Sequence, residues 1–250
     1  MENAVAATTP PVRNLRRARD LVDRPRGGRW DHESLRGLLT ELVGGAESAN
    51  VSVAVQLILQ AQTTGLAAWV ATHRDVFFPP DFAAAGVNLE TLPVVWAVDR
   101  GTKPTAATDA AATAETAAAP DAPSARAVAA VAVRAAERLL RSGAFTLVVI
   151  DLGRDLDLPI AGQGRLLRLA EQHRAQVLVL RRKRHDDAYS GSLIAVRAES
   201  RRAARRGTDN DRDRGGPEGR FVCTIINTKD KREGPGWTTS EEFDGPPGLC

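Results

Sequence analysis

Apolar residues in this chain fall into short unbroken runs, separated by stretches of helical period. AAWVA (67–71), LPVVWAV (92–98), FTLVVID (145–151) and QVLVL (176–180) read as strands. Their lack of alternation means that both faces are covered. Val51, Val55, Ile58, Leu59 and Gln62 lie at helical spacing and predict a buried helix over 51–64, ended by Gly65. PPDFAAAGVN (79–88) opens on proline and closes near glycine, the punctuation of a short helix. Residues 126–142 predict an amphipathic helix capped by Gly143, and another helix follows at about 162–174. SLIAVRAES (192–200) and RFVCTIINT (220–228) flank a polar loop at 203–218 and predict an antiparallel edge pair. Strands alternating with helices define an α/β protein with a mostly parallel sheet flanked by helices.

The pattern weakens in three places. Residues 1–30 are rich in Pro, Arg and Asp and read as an N-terminal extension, either mobile or forming one short helix. The core then runs over 31–228, interrupted at 101–125 by an Ala/Thr/Pro segment that reads as a disordered insertion. Residues 229–250 read as a C-terminal tail.

Composition narrows the function classes. Basic residues number 34 and acidic residues 31, a formal net charge of +3, so any grip on nucleic acid must come from local clustering. Cys223 and Cys250 form no disulfide framework or metal-binding pair. His32, His73, His173 and His185 lack ligand spacing, so no metal is expected. No apolar run is long enough to span a membrane, and a cytoplasmic protein is the expectation.

Chemistry concentrates at 41–62, ELVGGAESANVSVAVQLILQAQ, where a strand end, a Gly-rich turn and a helix follow one another. This is the layout of a phosphate-binding loop, G-x-x-x-x-G-K-[ST]. Counted from Gly45, the second glycine position holds Asn50 and the lysine position holds Val51; only Ser52 fits. The lysine is the charge that reaches the β- and γ-phosphates, so the chain is expected not to be an ATPase and to need no cofactor. Weak nucleotide binding stays open, because amides at a helix N-terminus favour an anion and Asn50 tolerates positive φ. Asp151 ends its strand either as a partner of Ser52 around magnesium or as a backbone cap. Arg181, Arg182, Lys183 and Arg184 form the densest basic run. That run is a solvated face, a contact for DNA phosphates or a dock for an acidic partner. Lys229 and Lys231 are either a solvated strand end or part of a subunit interface.

Taken in order, the Gly-rich loop, FPPDFAAAGVNLETLPVV, a helix, LVVID and Lys229-x-Lys231-x-x-x-Pro235 resemble the RecA family over residues 36–243. The segment Asp81–Leu89 is similar to the one that follows the catalytic strand in that family. Lys229 and Lys231 are similar to its lysine pair facing a neighbouring protomer's nucleotide. The departures are coordinated. Val51 replaces the lysine, WVATHRD (69–75) puts His73 or a neighbour where the catalytic glutamate belongs, Arg181 or Arg182 replaces a polar sensor, and both DNA-gripping loops are short. RecA relatives eroded in this way resemble the ImuA group, also described as SulA-like. That resemblance implies an accessory role in SOS mutagenesis and translesion synthesis after DNA damage. It also implies contacts with an ImuB-type Y-family polymerase relative, through it with an error-prone C-family polymerase, and with RecA. DNA contact would be weak or indirect, with association with the nucleoid on damage. Two other readings stay open: a weak DNA-stimulated ATPase, and a SulA-like inhibitor of cell division.

Overall fold

A computed structural model describes residues 30–45, 48–73, 77–97, 124–154, 156–182, 191–204 and 221–243. Fourteen of its elements matter here. They are α1 (His32–Leu35), β1 (Leu39–Val43), α2 (Asn50–Gln62), β2 (Leu66–Ala71), α3 (Pro79–Ala84), a 3-10 turn (Leu89–Thr91), β3 (Val94–Trp96) and α4 (Ala125–Arg141). After these come β4 (Phe145–Asp151), α5 (Ile160–His173), β5 (Gln176–Arg181), β6 (Val196–Ala204), β7 (Phe221–Asp230) and β8 (Thr238–Phe243). The strands form one sheet in the order β3-β2-β4-β5-β1-β6-β7-β8. All pairings from β3 to β6 are parallel, and β7 and β8 add antiparallel. The expected α/β class with antiparallel edge strands is the observed one.

Strand alternation sorts the core into two layers. Leu42, Leu147, Val149, Leu178 and Leu180 face α2 and α3 in one cluster, joined by Trp69 and Phe82. Leu39, Val148, Ile150, Val177 and Val179 face α4 and α5 in the other. Helix α4 starts where Ser124 accepts a hydrogen bond from the Ala127 amide, and its last turn carries Arg138 and Arg141 against the negative pole. It packs closely on α5 because Gly162 has no side chain: a Cβ there would lie 3.0 Å from Val133.

Several boundaries move. The helix expected over 79–88 stops at Ala84, where Gly86 turns the chain at φ +93°, and β3 keeps only three residues. The strand expected at 192–200 begins at Val196 and runs on through Arg201 and Arg202, because β7 pairs with it throughout. Strand β8 lies inside the segment read as a tail. Trp237, just before it, is buried against Trp30 with ring centroids 6.3 Å apart, so the last residue of the supposed N-terminal extension is also part of the core. The expected insertion at 101–125 lies outside the described residues except for Ser124 and Ala125, which begin α4.

Candidate functional site at the carboxyl ends of the strands

In a parallel sheet covered on both faces, ligands are met beyond the carboxyl ends of the strands. There the Gly44–Asn50 turn leads from β1 into α2. Its two described ends are tied down. The Gly44 amide donates to the Arg181 carbonyl at 3.2 Å, and Asn50 Nδ2 donates to the same oxygen at 3.0 Å. Ser200 Oγ donates to Asn50 Oδ1 at 2.6 Å and accepts from the Ala49 amide at 3.0 Å. A Cβ at Gly44 would collide with Ser48 and sit 3.0 Å from the Ser200 carbonyl.

These bonds give Asn50 a different reason from the one its residue type suggests. Among the described residues the non-glycine position with positive φ is Arg174, whereas Asn50 is the first residue of α2. It is there for its amide, which is buried and spans from β5 to β6. Val51, in the lysine's place, is half-buried and packs on the core. Ser52 is half-buried in the first turn of α2, which has no acidic residue and no side-chain cap. Gly45 is exposed, and a Cβ on it would meet nothing.

Asp151 stands two strands away, since β5 lies between β4 and β1. Its carboxylate is buried; Oδ1 accepts from the Gly153 amide at 3.1 Å and lies 3.8 Å from His73 Nε2, while Oδ2 has no hydrogen-bond partner. Burial pushes its pKa above the usual carboxylate range, against the opposing pull of His73, the Gly153 amide and Arg182. Thr72 donates its hydroxyl to the Asp151 carbonyl at 2.8 Å. His73, flagged by its place after β2, does stand beside Asp151.

The basic run separates into unlike parts. Arg181 is not a surface residue. Its guanidinium is buried between Glu41, at 3.2 Å, and the loop carboxylate Asp157. Arg197 reaches the other Glu41 oxygen at 3.1 Å. The basic run suggests a surface at Arg181, but β5 extends one residue beyond QVLVL and takes Arg181 into the sheet. Its alternation with Val177 and Val179 turns it inward. Arg182 is exposed and lies 3.4 Å from His73 Nε2. Lys183 and Arg184 lie outside the described residues.

Lys229 and Lys231 sit at the other end of the sheet from the Gly-rich turn. Lys229 pairs in register with Arg197, and the Lys231 amide meets the Ala195 carbonyl just before β6 begins. Their ammonium groups donate to the carbonyls of Gly191, at 3.3 Å, and Ser192. Burial, then repulsion from Lys231 and Arg197, holds the Lys229 pKa below its ordinary value, with Glu41 opposing. Asp230 between them organises the turn, accepting from the amides of Arg232 and Glu233 at 2.8 and 3.2 Å.

Sequence reasoning missed Glu41, Arg197 and Ser200. A carboxylate inside the apolar run LTELV was the available signal, because a charge buried in a central strand requires a partner. No local pattern pointed to the partners, which are more than a hundred residues away.

Among solved structures, 334 chains match this fold. One is the crystal structure of the RadB recombinase, with a TM-score of 0.52 and 15% identity over 82% of this chain and 87% of that one. No protein-family model matches the chain, and no curated protein matches it. The protein therefore has a RecA-like α/β fold, with an eight-stranded, mostly parallel sheet, antiparallel edge strands and flanking helices. No described helix is long and apolar enough to cross a membrane.

Proposed function

We propose that this protein is a RecA-fold accessory factor that works through protein contacts rather than nucleotide hydrolysis, in the manner of the ImuA group. The observation that carries the reading is the tied Gly-rich turn. A working phosphate loop points its amides at the ligand and supplies a lysine. Here Ala49 gives its amide to Ser200, Asn50 spends its side chain within the fold, and Val51 packs against the core. The partners on this reading are an ImuB-type polymerase relative, with the error-prone polymerase beyond it, and RecA.

Two measurements test it. ATP turnover, with and without single-stranded DNA, is expected at background level in the native chain and in Val51→Lys, whose lysine enters a turn already fastened to β5 and β6. Capture of purified ImuB-type and RecA partners by the immobilised chain is expected to succeed; failure with both removes the accessory reading. The runner-up, a weak DNA-stimulated ATPase, draws on the buried, half-satisfied Asp151 carboxylate. Turnover abolished by Asp151→Ala would establish it instead.

A further inference from the structure

The cluster of Thr72, His73, Asp151, Gly153 and Arg182 does a job that the accessory reading does not assign. Its hydrogen bonds determine where protons sit. Thr72 has a single hydroxyl proton and gives it to the Asp151 carbonyl at 2.8 Å. Its oxygen can therefore only accept from His73 Nδ1, 3.3 Å away, which places the proton of a neutral ring on Nδ1. Nε2 then carries a lone pair, which faces two groups of opposite demand. Arg182 Nη2, at 3.4 Å, needs an acceptor there. Asp151 Oδ1, at 3.8 Å, needs a donor there.

The ring is held in this position. Gly153 adopts φ +66°, and a Cβ on it would come within 3.0 Å of His73 Cε1 and 3.1 Å of Nδ1, so the bare Cα forms a seat for the imidazole. Arg182 is aligned by its amide, which donates to the Gly153 carbonyl at 2.8 Å. Three strand ends converge on one nitrogen: Thr72 and His73 follow β2, Asp151 and Gly153 close β4, and Arg182 follows β5. The charged groups facing Nε2 from the other two elements are Asp151 and Arg182.

We propose that Asp151 and His73 form a proton-binding site, and that its occupancy decides whether Arg182 is held or released. With the site empty, Nε2 accepts from Arg182 and the guanidinium is latched against β2. When a proton binds, Nε2–H donates to Asp151 Oδ1, the lone pair is gone, and the imidazolium repels the guanidinium. Arg182 then swings free at the rim of the sheet as a donor for an anionic group. One proton is taken up from solvent and no other covalent bond changes; the hydrogen bond from Arg182 is exchanged for one to Asp151. Burial, which raises the Asp151 pKa by taking the carboxylate out of water, works in the same direction, since it makes a proton or a donor at Oδ1 more favourable. Nothing in this device depends on whether the accessory reading holds.

The test is a pH titration of the full chain by NMR, following the His73 Cε1–H signal and the Arg182 guanidinium Nε–H signal. Both are expected to move with one midpoint. Asp151→Asn should lower the His73 midpoint, because it removes the anion that stabilises the imidazolium. Arg182→Gln should raise it. Thr72→Val should leave the Asp151–His73 coupling in place while loosening the ring. His73 titrating at the same pH in the native chain, Asp151→Asn and Arg182→Gln overturns the shared site. An Arg182 signal that does not follow His73 overturns the latch. Far-UV circular dichroism of each variant guards against misreading an unfolded one.

Discussion

Two buried ionisable residues carry pH-dependent stability of opposite sign. Asp151 has its folded pKa raised, so its contribution is fully present below the unfolded value and is lost as pH rises through the folded one. At neutral pH an ionised Asp151 weakens the fold. Asp151→Asn keeps an oxygen for the Gly153 amide and removes the charge, so its melting temperature should exceed that of the native chain at about pH 7 and match it near pH 3. His32 is the reverse. Its ring is buried with Nδ1 3.0 Å from Gln176 Oε1, and burial holds its pKa below 6.5 with that hydrogen bond opposing. Its contribution is present above the unfolded value and lost as pH falls towards the folded one. Urea unfolding at about pH 7.5 and again at about 5.5 should show a larger loss for the native chain than for His32→Gln. Both residues could be read in the sequence as candidates or scattered histidines. Their surroundings could not, because burial of a polar group depends on what distant strands lay over it.

At the scale of elements, the strands and helices followed from pattern wherever burial was uniform. LVVI in β4 and VLVL in β5 are apolar on both faces because helices cover both. Legibility failed at ends and edges. The apolar run QVLVL stops before Arg181, whereas β5 includes it because Glu41 on the neighbouring strand keeps it inside. The Glu41–Arg181–Arg197 group ties β5, β1 and β6 together on the face beyond α5. Removing Glu41 takes a buried carboxylate away from two buried guanidinium groups. Glu41→Ala should therefore cost about 3–5 kcal/mol in denaturant unfolding, far more than removing a surface pair. By the same logic Asn50→Ala leaves the Arg181 carbonyl and Ser200 short of a partner, at a cost of about 1–3 kcal/mol. That loss would show that the turn serves the scaffold.

Over the whole molecule, the fold reads as a parallel core with an antiparallel extension. β8 was not legible, since TTSEEF is polar on both faces and gains its place through pairing with β7. Its anchor is the preceding Trp237, whose Nε1 lies 3.5 Å from Asp230 Oδ2 and whose ring meets Trp30. Trp237→Ala should cost about 3–5 kcal/mol, measured by urea unfolding, because it opens a cavity between the first described residue and the last strands. The candidate site was half legible. Gly45, Asn50, Val51, Ser52 and Asp151 lie at the carboxyl ends of the parallel strands, while Lys229 and Lys231 lie at the opposite end of the sheet. Strand order makes that difference, and no local motif encodes it.

The central position of β1 has a consequence for how the chain is made. Among the described strands β1 is the first to leave the ribosome, yet both its neighbours, β5 and β6, come late. Glu41 precedes Arg181 by 140 positions. At about 5–20 residues per second, the carboxylate waits roughly 7–30 s for its first arginine. During that time the first half of the polypeptide can gather α2, β2 and α3 around Trp69, but it has no sheet into which β1 can close. Completion is deferred until the second half arrives. A nascent chain stalled before β5 should therefore be readily cut by protease within β1, and one released after β7 should resist.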